Sequence, residues 1–236
     1  RTEYDLEAIG TLGFRGEALA AISAVSRIDV MSRTQDAPLG ASLSLEGGVA
    51  GPVEQAGCPL GTTMVVRDLF YNTPARLKFM KKDAAEGAAV FGVVQRVALS
   101  HPEVAVKFLR DGKQELATPG DGQLRSAVYA VLGRDLALGF TQVDSSDEGM
   151  SVSGFVSQPS CCRASRNWQF FFVNGRQVKS RLMMAALEEA YQNQKMVGKF
   201  PGCVLHLTTR LSAVDVNVHP AKTEVKFCLL YTSDAA

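Results

Sequence analysis

Two kinds of hydrophobic pattern alternate along this chain, and together they constrain its fold more than any other feature. Short runs of alternating or β-branched residues predict strands, and Gly47-Gly48 forms the turn of a hairpin between two of them. Longer runs with apolar residues at helical spacing occur at Gly13–Ser26 and Asp83–Leu99. The early strands are predicted at Arg27–Arg33, Ala41–Leu45, Val49–Gln55 and Thr62–Leu69. This pattern predicts an α/β fold in which helices cover an antiparallel meander.

A cluster of turn residues divides the chain into two patterned regions. Thr118–Gly122 (TPGDG) predicts a linker, so we expect one domain at 1–118 and a second at 119–227. Before it, strands Val104–Leu109 and Gln114–Ala117 are predicted to form another hairpin around Asp111-Gly112. After it we expect helices Gln123–Leu132 and Arg181–Gln192, strands Ser151–Ser157, Gln169–Val173, Cys203–Thr208 and Val214–Val218, and a tight turn at Asn174-Gly175. The apolar side of the later helix is predicted to carry Leu182, Ala185, Ala186 and Ala190.

Composition excludes several classes of protein. At 236 residues with 46% hydrophobic content, the chain can fill real cores, and charges interrupt every apolar run well short of the roughly 20 residues that span a bilayer. Five cysteines without a CxxC pair predict a reducing, cytoplasmic setting and no structural metal. We expect Cys161 and Cys162 to be ordinary thiols on a strand edge.

Positive charge is concentrated in one segment although the net charge is only +1. No acidic residue occurs from Gly149 to Leu187, a window that contains Arg163, Arg166, Arg176, Lys179 and Arg181. Beside Trp168 and Phe170–Phe172, this window could meet nucleic-acid phosphates. The alternative is that the aromatic residues form one buried strand and the arginines are simply solvated, and the sequence favours neither.

A glycine-punctuated loop precedes the first predicted helix. Gly13-Phe14-Arg15-Gly16-Glu17 would present backbone N–H groups and the positive end of a helix dipole, which together can hold an anion. The segment is neither a Walker loop nor a Rossmann fingerprint. Taken alone, such a loop is more often a tight helix entry than a binding site.

Four long blocks carry a resemblance to a known family. They are LGFRGEALAAISAVS (Leu12–Ser26), GTTMVVRDLFYNTPARLKF (Gly61–Phe79), FFVNGRQVKSR (Phe171–Arg181) and VDVNVHPAKTEVKF (Val214–Phe227). In this order and spacing they resemble the MutL family of DNA mismatch repair proteins, members of the GHKL ATPase superfamily. The resemblance implies a two-layer α/β sandwich: the C-terminal half of a GHKL-type ATPase domain, followed by a ribosomal-protein-like α/β domain.

The resemblance also implies nucleotide-binding residues. In the family the GFRGEAL segment ends a mobile lid around the ATP phosphates, which assigns Phe14, Arg15, Gly16, Glu17 and Ala18 to that lid. Gly61, Thr62 and Thr63 would neighbour the adenine, although a plain strand start with locally bonded hydroxyls is the alternative. Lys222 matches the lysine that reaches the terminal phosphate and would be catalytic, whereas His219 is expected to be structural.

A DNA-binding surface is implied around the predicted tight turn. Arg176, Lys179 and Arg181 are the expected contacts to the DNA backbone, independent of sequence and weakened by salt. The family further implies ATP with Mg²⁺, homodimerisation on ATP binding, and a mismatch-recognition partner of the MutS type, in a clamp that couples mismatch recognition to strand removal.

Several family motifs do not occur in these 236 residues. The catalytic glutamate, the magnesium-binding asparagine and the adenine-binding aspartate would precede Arg1, so we expect this fragment to hydrolyse ATP negligibly. Residues 228–236 match nothing expected and are interpreted as a non-native tail. Two alternatives remain: a MutL-like scaffold that does not hydrolyse ATP, and the ATPase region of a type II topoisomerase.

Overall fold

The computed structural model describes residues 17–147, 149–210, 214–215 and 226–227. The described residues form two compact units, one ending at Glu86 and the other beginning at Gly87. The predicted linker, residues 118–122, lies inside the second unit. A compact unit is defined by contacts within the chain and need not coincide with a family domain. The domain bounds 1–118 and 119–227 therefore stay a prediction.

The first unit is built on a five-stranded antiparallel sheet with the order β3-β2-β1-β5, in which β4 also pairs with β2. Its strands are β1 (Arg27–Arg33), β2 (Gly40–Glu46), β3 (Val49–Ala50), β4 (Glu54–Ala56) and β5 (Gly61–Arg67). The predicted β2–β3 turn is confirmed, because Gly47 and Gly48 take φ values of 57° and 87°. The single strand predicted at Val49–Gln55 is wrong. Pro52, which has no N–H to donate, lies in the gap between β3 and β4.

Two short helices accompany this sheet: α1 (Glu17–Ser23) and α2 (Pro74–Lys78). The chain just after α1 is tied to the segment that follows β5. Phe70 N–H donates to the Val25 carbonyl at 2.7 Å, and the Asn72 side chain donates to the Ala24 carbonyl at 2.9 Å. Pro74 occupies the first turn of α2, where a missing N–H costs nothing.

The second unit contains a five-stranded mixed sheet with the order β11-β10-β12-β9-β8. Strands β10 and β12 are parallel, and the other neighbours in this sheet are antiparallel. The sheet strands are β8 (Phe140–Asp147), β9 (Met150–Ser157), β10 (Gln169–Val173), β11 (Arg176–Val178) and β12 (Cys203–Thr209). A separate hairpin joins β6 (Lys107–Arg110) to β7 (Lys113–Ala117), and β13 (Val214–Asp215) pairs with β14 (Lys226–Phe227).

Helix α3 (Asp83–Ser100) belongs to the second unit from Gly87 onward. The other helices of this unit are α4 (Leu124–Leu132), α5 (Arg134–Ala137) and α6 (Arg181–Ala190). Successive side chains of β10 point to opposite sheet faces. Phe170 and Phe172 pack in a core with residues of α3, α4 and α5. Phe171 and Val173 pack in a second core with Leu187 of α6. Strand β10 is therefore buried on both faces. No described helix is long and apolar enough to cross a membrane.

The predicted apolar side of α6 is wrong. Leu182, Ala185, Ala186 and Ala190 are exposed, whereas Leu187 is 8% exposed. Met183 and Met184 pack beside Leu187 against the sheet, and Tyr191, just after the helix, joins the same core. The larger apolar side chains therefore decide which face is buried, because they remove more surface from water than alanine does.

Candidate functional site

Gly61, Thr62 and Thr63 open strand β5 at one edge of the first sheet. They pair with Arg33, Ser32 and Met31 of β1, and all three are exposed. Gly61 has a φ of 100°, and nothing lies within 4 Å of the position that a Cβ would occupy. The hydroxyls of Thr62 and Ser32 are 2.8 Å apart, so Thr62 already has a local partner. This corner offers open backbone and hydroxyl groups that can hydrogen-bond a ligand.

Most of the predicted lid lies outside the described residues. Phe14, Arg15 and Gly16 fall there, whereas Glu17 and Ala18 form the exposed start of α1. Lys222 and His219 also lie outside the described residues. The structure therefore places the candidate adenine neighbours and two lid residues, and the remaining nucleotide assignments stay predictions.

The predicted tight turn lies between β10 and β11. Asn174 and Gly175 have φ values of 48° and 76°, which confirms the turn. Asn174 also fastens the turn to β12, because its N–H donates to the Leu207 carbonyl at 2.9 Å and its side-chain oxygen accepts from Thr209 N–H at 3.0 Å. The hairpin that carries Arg176 is thus hydrogen-bonded to β12 at its turn.

The three predicted DNA contacts differ sharply in accessibility. Arg176 is 8% exposed on β11, and burial lowers the pKa of its guanidinium. Lys179 and Arg181 are exposed on either side of Ser180, whose hydroxyl caps α6 by accepting from Met183 N–H at 3.2 Å. The cap fixes the start of the helix and the direction of the chain beside it. Lys179 and Arg181 can reach a phosphate, whereas Arg176 presents little surface.

The aromatic residues of the acid-free window belong mainly to the core. Phe170, Phe171 and Phe172 are 6%, 3% and 0% exposed, so the buried aromatic strand of the alternative is confirmed. Its other half, simply solvated arginines, is wrong for buried Arg176 and for Arg166. Arg166 is engaged at the surface. Its guanidinium donates to both carboxylate oxygens of Glu188, at 2.6 and 3.0 Å, and lies 4.0 Å from the ring centroid of Phe200. The hydrogen bonds from Arg166 lower the pKa of Glu188.

A surface pocket includes two residues of this window in its lining. Its volume is about 350 Å³, and it is lined by residues 132–136, between and including the ends of α4 and α5, with Arg163 and Trp168. We call it the Trp168 pocket. Arg163 and Trp168 were candidate functional residues from the acid-free window, whereas Arg134 was not. Arg134 lies in the Gly133-Arg134-Asp135 sequence directly after an apolar helix.

The cysteines and acidic residues show no metal-binding arrangement in the described part of the chain. Cys58, Cys161, Cys162 and Cys203 are free thiols, and no cluster of His, Cys, Asp or Glu there could hold a metal ion. Cys161 ends a short 3₁₀ turn (Pro159–Cys161) and Cys162 follows it. The predicted strand-edge position of this pair is therefore wrong. Cys203 is fully buried, and burial raises the pKa of its thiol, which disfavours the reactive thiolate.

The family model and the relatives that this chain resembles are both those of DNA mismatch repair proteins. Residues 128–229 match the family model described as DNA mismatch repair protein, C-terminal domain. The DNA mismatch repair protein MutL of Symbiobacterium thermophilum is 46% identical over 227 residues, which cover 96% of this chain and 36% of that protein. The chain thus spans little more than a third of this relative's length.

Solved structures agree with the sequence comparison. The MutL ATPase domain of Aquifex aeolicus, complexed with ADP, has a TM-score of 0.67 at 26% identity, with 89% of this chain and 75% of that chain covered. The gyrase B subunit of Myxococcus xanthus reaches a TM-score of 0.53 at 14% identity, covering 97% and 73%, a likeness of fold alone. The fold is therefore an α/β fold of the GHKL ATPase type. With the sequence identities above, the chain belongs to the MutL family of DNA mismatch repair proteins.

Proposed function

We propose that this chain supplies nucleotide-binding and DNA-binding parts of an ATP-dependent mismatch repair protein of the MutL type. The observation that carries the proposal is the 46% identity to a MutL protein over 227 residues. The shared fold with a MutL ATPase domain that holds ADP supports it. The gyrase likeness, at 14% identity, gives no comparable support to a topoisomerase function.

The nucleotide contacts are assigned to the first unit. Gly61–Thr63 fit such a role because they are exposed and because the Gly61 backbone is open on the side where other residues carry a Cβ. Glu17 and Ala18, with Phe14, Arg15 and Gly16 before them, would close over the phosphates. ATP supplies a phosphoanhydride bond whose cleavage can reset a conformational switch. Mg²⁺ is proposed to accompany ATP, with its ligand in the part of the protein that precedes these residues.

Lys222 is proposed as the catalytic lysine. A compact ammonium placed at the terminal phosphate can offset negative charge that develops during phosphoryl transfer. Lys222 lies outside the described residues, so its assignment rests on the VDVNVHPAKTEVKF block (Val214–Phe227) in the sequence. Its loss should impair turnover more than nucleotide binding.

DNA binding is assigned to Lys179 and Arg181. Both are exposed, and they flank the capped start of α6. Flexible cations of this kind pair with phosphates and carry no sequence information. Arg176 is better suited to holding the hairpin, because it is buried on β11.

In the complete protein we propose a clamp that dimerises when ATP binds and holds DNA while a mismatch-recognition protein of the MutS type engages it. The coupling is a population shift, since ATP favours the associated state and hydrolysis releases it. A cytosolic location is part of this proposal.

The test is ATP turnover by the complete gene product and its Lys222→Ala variant. Turnover should fall by about 100-fold in the variant, whereas ATP binding should persist. A complete protein that binds ATP without turnover would instead be a scaffold of the MutL type. Unchanged turnover in Lys222→Ala would remove the catalytic assignment. The 236-residue chain by itself, which has no Asp-x-Gly-x-Gly turn, is expected to show negligible turnover.

A further inference from the structure

The Trp168 pocket has the size and lining of a small-ligand site. Its volume of about 350 Å³ lies within the roughly 300–1,000 Å³ range of ligand pockets. Gly133 has a φ of 78° and joins α4 to α5 at its wall, and nothing lies within 4 Å of the position that a Cβ would take there. The wall is therefore open where the chain turns.

The charges of this pocket favour an anion. Arg134 and Arg163 line it with exposed side chains, and neither forms an ion pair within the described part of the chain. Asp135 is the acidic residue of the lining, which leaves an excess of one positive charge. Arg166, nearby in sequence, is neutralised by Glu188 and does not add to this excess. Two guanidinium groups provide several donors to one phosphate.

Trp168 gives the same pocket an aromatic wall. It is partly exposed, and it packs against the core formed with α4 and β10. An indole that is supported in this way loses little conformational freedom when a planar ring stacks on it. Aromatic side chains of this kind bind the faces of bases in single strands, with little preference for sequence.

We propose that the Trp168 pocket binds one nucleotide of single-stranded DNA, with the base against Trp168 and its phosphate at Arg134 and Arg163. Paired bases in a duplex are stacked on each other and cannot enter such a pocket, whereas unpaired bases can turn outward. Lys179 and Arg181 do not line this pocket. The site therefore rests on the proposed DNA-binding function and extends it from duplex backbone to unpaired strand.

The experiment uses the fluorescence of Trp168, which is the chain's single tryptophan. The 236-residue chain is titrated with oligothymidylate, and we expect saturable quenching. Arg134→Gln and Arg163→Gln should each weaken the apparent affinity by about tenfold, because each removes a charge-assisted phosphate contact. Lys107→Gln, an exposed cation on β6, is the charge-matched control and should leave the titration unchanged. Circular dichroism checks that all variants are folded.

Three results would overturn this assignment. They are the absence of saturable quenching, wild-type affinity in both Arg134→Gln and Arg163→Gln, and quenching by an abasic oligonucleotide of the same charge that equals the quenching by oligothymidylate. Equal quenching by an acidic peptide would assign the pocket to protein recognition instead. The proposed duplex-binding function is tested separately. If Arg181→Gln keeps the quenching but weakens duplex binding, both proposals stand. A wild-type chain that shows quenching and fails to bind duplex contradicts the duplex proposal alone.

Discussion

The imidazole ring of His206 stacks on the ring of Phe172, with centroids 4.6 Å apart and planes inclined by 20°. The two residues lie opposite each other in the parallel pair of β10 and β12. A ring N–H of His206 donates to the Leu99 carbonyl oxygen at 3.1 Å, which joins the sheet to the end of α3. Burial lowers the pKa of His206, and His101 adds to this effect while the Leu99 hydrogen bond and Glu103 oppose it.

This pair predicts a loss of stability on acidification. Because the folded-state pKa of His206 lies below its ordinary value of 6.5, the unfolded chain takes up the proton first. The stability due to neutral His206 is complete above pH 6.5 and is lost as the pH falls through the lowered folded-state pKa. Urea unfolding across this range should show the decline, and His206→Gln should flatten it. His101→Gln is the control and should keep most of the decline. An unchanged slope in His206→Gln would show that another group causes it.

Gly154 is predicted to tolerate no side chain. It has a φ of 138° on β9, and a Cβ there would overlap the Val204 carbonyl oxygen of β12. Gly154→Ala should lower the free energy of unfolding by about 3 kcal/mol or more, since it adds strain and a clash. Gly175→Ala separates the two effects, because Gly175 has a φ of 76° and open space around it. The loss there should be about 1–2 kcal/mol, as measured by urea unfolding. Equal losses would argue against the clash.

The buried face of α6 can be tested with two leucines. Leu187 is 8% exposed and Leu182 is 64% exposed. Leu187→Ala should cost about 2–4 kcal/mol of unfolding free energy, because it leaves a cavity against the sheet. Leu182→Ala should change this free energy by no more than about 0.5 kcal/mol. If Leu182→Ala lowered the free energy of unfolding more than Leu187→Ala, the buried face of α6 would be the one predicted from helical periodicity.

Salt dependence tests the proposed backbone contacts to DNA. Lys179→Gln and Arg181→Gln should each weaken duplex binding and reduce the slope of log affinity against log salt by about 1, since each contact releases a counterion. Fluorescence anisotropy of a labelled duplex measures both quantities. Arg166→Gln is the control, because Arg166 is already paired with Glu188. If Arg176→Gln instead reduced the salt slope as much as these two variants do, with an unchanged free energy of unfolding, Arg176 would contact DNA despite its burial.

Turns were the most predictable part of this fold. Gly47-Gly48, Asp111-Gly112 and Asn174-Gly175 all adopt positive φ, as their residue types predict. Whether a turn residue adopts a positive φ depends mainly on its own residue type, so it can be predicted directly from the sequence. Strand β8 was not predicted, because FTQVDSSD is largely polar. It forms through eight paired positions with β9 at the edge of the sheet, where one side of the strand can remain in water.

Among the candidate site residues, the sequence determined which chemical groups are present and tertiary structure determined which of them are accessible. The window without acidic residues contains four arginines and Lys179, and nothing in their spacing separates buried Arg176 from exposed Arg181. Arg134 and Trp168 are 34 positions apart, so a local pattern could not bring them to one pocket. The sequence by itself determined the family, the turns and the α/β class, since these depend on residue identity and short-range order. Tertiary packing alone decided the face of α6, the burial of Arg176 and the Trp168 pocket, because burial depends on contacts between segments that are distant in the chain.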